Sequence, residues 1–242
     1  MTRKRLRRSA ETLWELILRE LRARHKQSFL GPLWIVIAPL LLLAPLAVLF
    51  RGFIPFPGGG RSYTLFVYSG LLPWLFFSES VRTATESLVV NAPLIRRLAF
   101  ARSLLPLAIV GTRGVEFALV GLVTILPAVV LGVLPLRPSF LLLPPLLLLL
   151  AFFASGISLA TSTLFAFYRD VRHVVHVLLT VWMYATPIVY APEMIQEPAR
   201  SLLALNPLTP FVDAGRTVLL EGGAPSPLQW LLLASWAGVS LL

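Results

Sequence analysis

Charged residues inside otherwise apolar stretches are the first candidates for chemistry in this chain. Arg113 and Glu116 are three residues apart in one such stretch, and Arg82 and Glu86 are four apart in another. Both spacings place the two side chains on one face of a helix, where opposite charges neutralise each other. A charge within a membrane span is costly and marks a functional site by default. The pairs predict either contacts that hold two helices together or groups that line a hydrated path.

The chain lacks the motifs of nucleotide and hydrolytic chemistry. It has no GxxxxGK[ST] sequence to hold ATP phosphates, no HExxH or GxSxG motif, and no cysteine. His173 and His176 are three residues apart, but Asp170 is the only carboxylate near them in the sequence, which is too few ligands for a metal site. We predict no catalytic residue, no metal site and no cofactor in this chain.

Aromatic residues gather in two places and are candidates for a substrate path. The six residues are Trp74, Phe76, Phe77, Trp182, Tyr184 and Tyr190. Interfacial belts explain such residues in most membrane proteins. The alternative is a sugar conduit, because the C–H faces of pyranose rings can slide over flat aromatic faces. We take these six residues, with Arg113 and Glu116, as the candidate path.

Membrane helices are the elements that must position these side chains. The sequence is 57% hydrophobic and 13% charged, and its apolar residues come in long blocks. The net charge of +10 gathers beside those blocks, where anionic lipid and orientation rules explain it better than nucleic acid does. The composition therefore predicts an all-α integral membrane protein that contacts membrane lipids and binds no nucleic acid.

Six apolar stretches predict six transmembrane helices. Their approximate bounds are 29–51, 63–89, 103–134, 140–167, 174–192 and 227–242. Residues 193–226 carry charges and prolines, and short helices over 199–205 and 210–220 are expected to be re-entrant, dipping into the outer leaflet. The last stretch gives about 24 Å against the ~30 Å of a bilayer core, so we expect the sequence to continue beyond Leu242.

A basic segment, residues 1–28, precedes the transmembrane domain of residues 29–242. Residues 1–8 are predicted to be a disordered tail, and Thr12, or alternatively Ser9, is the expected cap of a helix. Apolar residues fall on one arc of that helix and cations on the other, which is typical of an amphipathic helix in the interface plane. Fourteen Lys and Arg residues fall in the predicted inner segments against five outside, so both ends are predicted to be cytoplasmic.

Four sequence blocks resemble the permease subunit of type 2 ABC exporters, in the polysaccharide and O-antigen export branch. The blocks are KQSFLGPLW at 26–34, GLLPWLFF at 70–77 with SLVVNAPLI at 87–95, RDVRH at 169–173 with TPIVY at 186–190, and LNP at 205–207. They follow the family order along nearly the whole chain. One departure is FARS at 100–103, where the family often has F-P-R-E.

The resemblance implies a homodimer in the bacterial inner membrane, joined to two copies of a separate ABC ATP-binding subunit that holds ATP and Mg. It implies outward movement of a lipid-linked polysaccharide. The residues expected to receive the movement of the ATPase are Arg19, Arg22, Lys26, Asn91, Arg96, Arg97, Arg102, Arg169 and Asp170. Three alternatives stay open: export of a small drug or lipid, a polyprenyl-sugar membrane enzyme with Asp170 as its one poor candidate acid, and a plain membrane scaffold.

Overall fold

Helices make up the regular structure of the described chain. A computed structural model describes residues 2–25, 63–97, 100–132, 134–196 and 198–242, with isolated positions between 33 and 45. In chain order the helices are α1 (Thr2–His25), α2 (Tyr63–Val90), α3 (Ala92–Arg97), α4 (Leu104–Val130), α5 (Leu143–Phe167), α6 (Val171–Ala185), α7 (Ala199–Ala204), α8 (Thr209–Arg216) and α9 (Pro227–Ser240). Short 3₁₀ turns cover Pro138–Leu142 and Pro192–Met194, and a π-helical turn, Thr217–Glu221, follows α8. The all-α prediction is confirmed for these residues.

α2 is the central helix and packs against α4, α5, α6 and α8. Phe77 of α2 stacks on Phe153 of α5 with ring centroids 5.3 Å apart. Eight residues later, the Thr85 hydroxyl donates a 3.0 Å hydrogen bond to the Thr161 hydroxyl. The same step along both helices shows that α2 and α5 run in the same direction.

α4 runs opposite to α2. Phe76 of α2 contacts Phe117 of α4, whereas Thr83, further along α2, accepts a hydrogen bond from Arg113, which comes earlier on α4. The connections at residues 91–103 and 168–170 therefore lie at one end of the bundle. α1 packs against α4 near the start of that helix, so we call this the α1 end.

Among the residues that the structure describes, two stretches, Leu104–Val130 and Pro138–Phe167, are long and apolar enough to cross a membrane. The predicted spans 63–89, 103–134, 140–167 and 227–242 each coincide with a long or medium helix of the structure. The predicted first span, 29–51, lies outside the described residues apart from isolated positions.

The helix at the fifth predicted span is shorter than that span. The prediction extended it over 174–192, but α6 begins at Val171 and ends at Ala185. Thr186 precedes Pro187 and has extended dihedral angles, φ −99° and ψ 134°, because a proline disfavours helical geometry in the residue before it. At 1.5 Å per residue, the fifteen residues of α6 cover about 22 Å.

α1 also starts earlier than predicted. Residues 2–8 are helical rather than a disordered tail, and the helix begins at Thr2. Thr12 does not cap the helix, since its hydroxyl donates 2.9 Å to the carbonyl of Arg8 inside the helix. Arg7 and Glu11 form an ion pair of 3.0 Å one turn apart. Arginine has a high helix propensity, and this pairing extends the helix through the basic stretch.

Candidate functional site

The apolar face of α1 is packed onto the start of α4. Leu16 and Ile17 are buried against Leu104, Leu105 and Ala108. Contact is closest at Gly111, where an added Cβ would lie 2.6 Å from Cδ1 of Ile17. This face of α1 is therefore fixed to the helix bundle, which leaves its cationic face available for other contacts.

A hydrogen bond ties α1 to the turn between α2 and α3. The Arg19 guanidinium donates 2.7 Å to Oδ1 of Asn91, and Nδ2 of Asn91 donates 2.9 Å to the carbonyl of Ser87 in the last turn of α2. Asn91 thus connects two helices that are far apart in the sequence. Two of the residues predicted to act in coupling are brought together here.

The remaining predicted coupling residues lie on the surface of the α1 end. Those that are exposed are Arg22, Arg96, Arg97, Arg102, Arg169 and Asp170, while Lys26 lies outside the described residues. A shallow depression of about 380 Å³ on α1 is lined by Glu15, Leu18, Arg19, Arg22 and Ala23. Exposed arginines beside a depression form a surface that suits an acidic protein partner.

An ionic network joins α2 to α4 deeper in the bundle. Arg113 of α4 donates 2.8 Å to Glu116 and 3.0 Å to Glu79 of α2. Its guanidinium also donates 3.2 Å to the hydroxyl of Thr83. Glu116 has a side chain only 8% exposed, so Arg113 compensates a nearly buried charge. The predicted Arg113–Glu116 pair is confirmed, and through Glu79 it links two helices.

The predicted pair of Arg82 with Glu86 is wrong. Arg82 instead donates to both carboxylate oxygens of Glu79, at 2.7 Å each, one turn earlier on α2. Glu86 faces α6, where its oxygen is 3.6 Å from the Arg172 guanidinium. Spacings of three and of four residues both place charges on one helix face, so Arg82 could pair with either Glu79 or Glu86. Because Glu86 contacts Arg172 of α6, Arg82 pairs with Glu79.

The first group of predicted path aromatics lies inside the subunit. Trp74, Phe76 and Phe77 are buried, and Phe77 has no exposed surface. Phe77 contacts the rings of Phe153 and Trp182 with centroids 5.3 and 5.2 Å away. These contacts give the three residues a packing role in the single chain.

Asn206 fixes the polypeptide beyond the end of α6. Its Oδ1 accepts from Nε1 of Trp182 at 2.8 Å and from the amide of Leu208 at 3.0 Å. Its Nδ2 donates to the Ala185 carbonyl and the Thr186 hydroxyl, each at 3.0 Å. The TPIVY and LNP blocks, which the sequence keeps apart, meet at this residue.

Among the aromatic path candidates, Tyr184 is exposed and Tyr190 is half-buried. The side chain of Tyr184 is 68% exposed on α6. The Tyr190 hydroxyl donates a 3.0 Å hydrogen bond to the backbone carbonyl of Tyr184. Trp182 is half-buried and is committed to Asn206. Of the six aromatic candidates, three are therefore buried, two are half-buried and Tyr184 is exposed.

Arg216, a buried cation of α8, is not among the site residues predicted from the sequence. Its Nη2 donates 2.9 Å to the carbonyl of Ile188, and the centre of its guanidinium lies 3.7 Å from the centroid of the Phe66 ring. Asp213 lies 3.8 Å away. Burial lowers the pKa of Arg216 to about 10 and raises the pKa of Asp213 to about 6. An arginine within the proline-cut 193–226 segment was the available indication.

These features define a helical protein with long apolar helices and a polar surface at one end. The chain belongs to the ABC-2 type transporter family, whose model matches residues 11–220. It is therefore an integral membrane protein, and the resemblance to type 2 ABC exporters is confirmed.

Similar proteins from two organisms carry the name O-antigen export system permease protein RfbA, and one relative from each is described here. The one from Klebsiella pneumoniae is 34% identical over 213 residues, covering 84% of this chain and 78% of the relative. The one from Myxococcus xanthus is 32% identical over 241 residues, covering 95% of this chain and 90% of the relative. The similarity extends over almost the whole chain.

Proposed function

We propose that this chain is the permease subunit of an ATP-driven exporter that moves a lipid-linked polysaccharide outward across the bacterial inner membrane. Support comes from the ABC-2 type family and from relatives named as O-antigen export permeases over most of their length. Nucleotide-binding motifs are absent from the sequence, so ATP and Mg belong to a separate ABC subunit in this proposal.

The membrane arrangement that we propose has six spans and a cytoplasmic N-terminus. The Lys and Arg residues concentrate in residues 1–30, 91–102 and 168–173, and the last two of these stretches form connections at the α1 end. The positive-inside rule therefore favours a cytoplasmic location for that end. Residues 193–226 lie at the opposite end and supply the proposed re-entrant segment.

The observation that carries the proposal is the attachment of α1 to the bundle. α1 packs on α4 through Ile17 and is bonded to the α2–α3 turn through Arg19 and Asn91. A partner that pushes on the exposed cations of α1 or α3 therefore acts on α2 and α4 together. Such a push changes the span arrangement only if the partner contacts the two arrangements with different free energies.

We place the substrate path between two copies of the chain. The centre of a single copy is filled by its own rings, with Phe77 and Phe153 stacked between α2 and α5. A closed C2 dimer provides a shared surface in which each copy presents the same residues. Tyr184, exposed on α6, is the residue that we expect to lie nearest to this surface.

The docking assignment is tested by reversing charge on α3. We expect Arg96→Glu with Arg97→Glu to abolish glycan export and co-purification of the ATP-binding subunit, while membrane insertion is kept. Arg200→Glu is the matched control, because Arg200 is an exposed arginine at the opposite end. Normal export by the α3 variant refutes the docking surface, and transport of a small amphiphile without glycan favours the drug or lipid alternative.

A further inference from the structure

A polar pocket lies between α2 and α6 near the α1 end. Its volume is about 230 Å³, and its lining residues are Arg82, Thr85, Glu86, Arg172, His173, Val175 and His176. Two arginines and two histidines thus surround one carboxylate. None of the coupling or path assignments made above requires this combination of residues.

Arg172 is the cation of this pocket whose donors are most available. It lies 3.6 Å from Glu86, which is an ion pair but is too long for a hydrogen bond. The side chains of Arg172 and Arg82 are each 55% exposed. Arg82 already donates to Glu79, so it contributes charge to the pocket while Arg172 contributes open N–H groups.

On the proposed topology, the pocket lies near the inner lipid headgroups. Arg82 is eight residues before Val90, the last residue of α2, which is about 12 Å along the helix. His176 is five residues after the start of α6, or about 8 Å. The headgroup layer is roughly 5–8 Å thick on each side of the hydrocarbon core. With these helix ends at the cytoplasmic membrane surface, as the proposed topology has them, the pocket falls at the boundary between the inner headgroups and the hydrocarbon core.

We propose that the α2–α6 pocket binds the phosphate group of an anionic lipid, and that this phosphate is the one joining lipid to sugar in the exported substrate. The identification of this phosphate as part of the exported substrate rests on the proposed function. A guanidinium presents a planar set of donors that matches phosphate oxygens, and imidazole N–H groups add further donors at the rim. The Thr85 hydroxyl is buried and already donates its proton within the bundle, so it is not among the proposed phosphate donors.

Glu86 acts in this proposal as an internal competitor. Its carboxylate neutralises Arg172 in the empty pocket, and an incoming phosphate takes its place beside the guanidinium. Removing the Glu86 charge must therefore strengthen phosphate binding, whereas removing Arg172 must weaken it. A purely structural ion pair gives no such opposite effects.

Binding is measured on the purified full chain without its ATP-binding partner. The probes are an isoprenoid diphosphate and the isoprenoid alcohol with the same chain, titrated by native mass spectrometry. We expect the diphosphate to bind at least about tenfold more tightly than the alcohol, since charge-assisted hydrogen bonds separate the two ligands. Equal binding of the two probes overturns the phosphate site.

Three variants test whether the pocket causes the preference for the diphosphate over the alcohol. Arg172→Gln should remove it, Glu86→Gln should increase diphosphate affinity several-fold, and Arg200→Gln at the opposite end should leave it unchanged. Because Arg172 and Glu86 are both partly exposed, we expect these substitutions to keep the fold. Unchanged binding in Arg172→Gln, or weaker binding in Glu86→Gln, overturns the assignment.

Two competitors distinguish the source of the phosphate. Excess phosphatidylglycerol or inorganic phosphate should displace the isoprenoid diphosphate only weakly. Displacement at equal concentration by phosphatidylglycerol overturns the substrate assignment in favour of bulk anionic lipid, and displacement by inorganic phosphate overturns it in favour of a soluble anion. Because no ATP-binding subunit is present, a failure here is separate from a failure of export.

Discussion

The guanidinium of Arg19 and the side-chain oxygen of Asn91 are 2.7 Å apart, and they join the N-terminal helix to the turn that follows α2. The two residues are separated by 72 positions in the sequence, yet the contact lies at the surface that we expect a partner to approach. A movement of α1 therefore reaches α2 through one polar contact, in addition to reaching α4 through apolar packing.

Replacing Asn91 with leucine should loosen this connection. The variant removes the acceptor of Arg19, and we expect export to fall several-fold because a hydrogen bond to a charged group contributes about 1.5–3 kcal/mol when well formed. Asn91→Asp keeps an acceptor for the guanidinium and should retain most of the activity. Equal loss in both variants would show that Asn91 acts through its bond to Ser87 instead. The measurement is glycan export per molecule of inserted protein.

The close contact between Gly111 and Ile17 predicts that a larger residue at position 111 impairs export and that a smaller residue at position 17 restores it in part. A leucine at Gly111 has no room, since even a Cβ would lie 2.6 Å from the Ile17 side chain, and α1 should be displaced from α4. We expect Gly111→Leu to reduce export about tenfold, in the range typical of overpacking by 1–3 kcal/mol. Adding Ile17→Ala makes space and should restore part of the activity. Failure of this rescue would remove the proposed role of α1 packing.

Removing Arg113 should destabilise the chain more than removing Arg82. Arg113→Leu leaves Glu116, whose side chain is 8% exposed, without compensation, and we expect a loss of about 3–5 kcal/mol in the free energy of unfolding. Arg82→Leu is the control, because its exposed pair with Glu79 contributes about 0–1 kcal/mol. Unfolding in detergent measures both values.

The second member of the Arg113 pair offers an independent check. Replacing both Arg113 and Glu116 with leucine removes the buried charge together with its partner, so the double variant should be more stable than Arg113→Leu alone. A double variant that is less stable than either single variant would contradict the structural role of the pair.

Asn206 should be hard to replace because four hydrogen bonds converge on it. Asn206→Leu leaves the buried amide of Leu208 and the indole of Trp182 without this acceptor, and we expect a loss of about 2–4 kcal/mol in the free energy of unfolding. Trp182→Phe removes one of the four hydrogen bonds, and the loss of that bond should lower the free energy of unfolding by about 1 kcal/mol. Similar thermal midpoints for Asn206→Leu and the wild-type chain would contradict this assignment.

Helix positions followed from the sequence because apolar length determines them. The second, third, fourth and sixth predicted spans coincide with helices. At the fifth, the helix ends at Ala185, before the predicted span does, because Pro187 ends it by local geometry although the apolar run continues through Thr186. The basic residues at the start of α1 predicted a disordered tail, because the prediction considered their charge density and not the ion pair that Arg7 forms with Glu11.

Side-chain partners were less accessible to prediction. Helical spacing allows Arg82 to pair with either Glu79 or Glu86. Which carboxylate it pairs with depends on Arg172, which contacts Glu86 and is 90 positions further along the chain. The aromatic residues near Trp74 have the composition of either a path or a core, and only their burial shows the packing role. Asn206 joins two sequence motifs through tertiary contacts that no local pattern contains.

The central claim is that this chain is a conduit driven by a separate ATP-binding subunit that presses on the α1 end. Its most direct test is movement of lipid-linked glycan into sealed vesicles that contain the chain alone, the complete complex, or a complex whose partner binds ATP without hydrolysing it. We predict sustained, ATP-dependent movement only for the complete complex. Sustained pumping by the chain alone, or continued transport with the hydrolysis-deficient partner, would contradict the account.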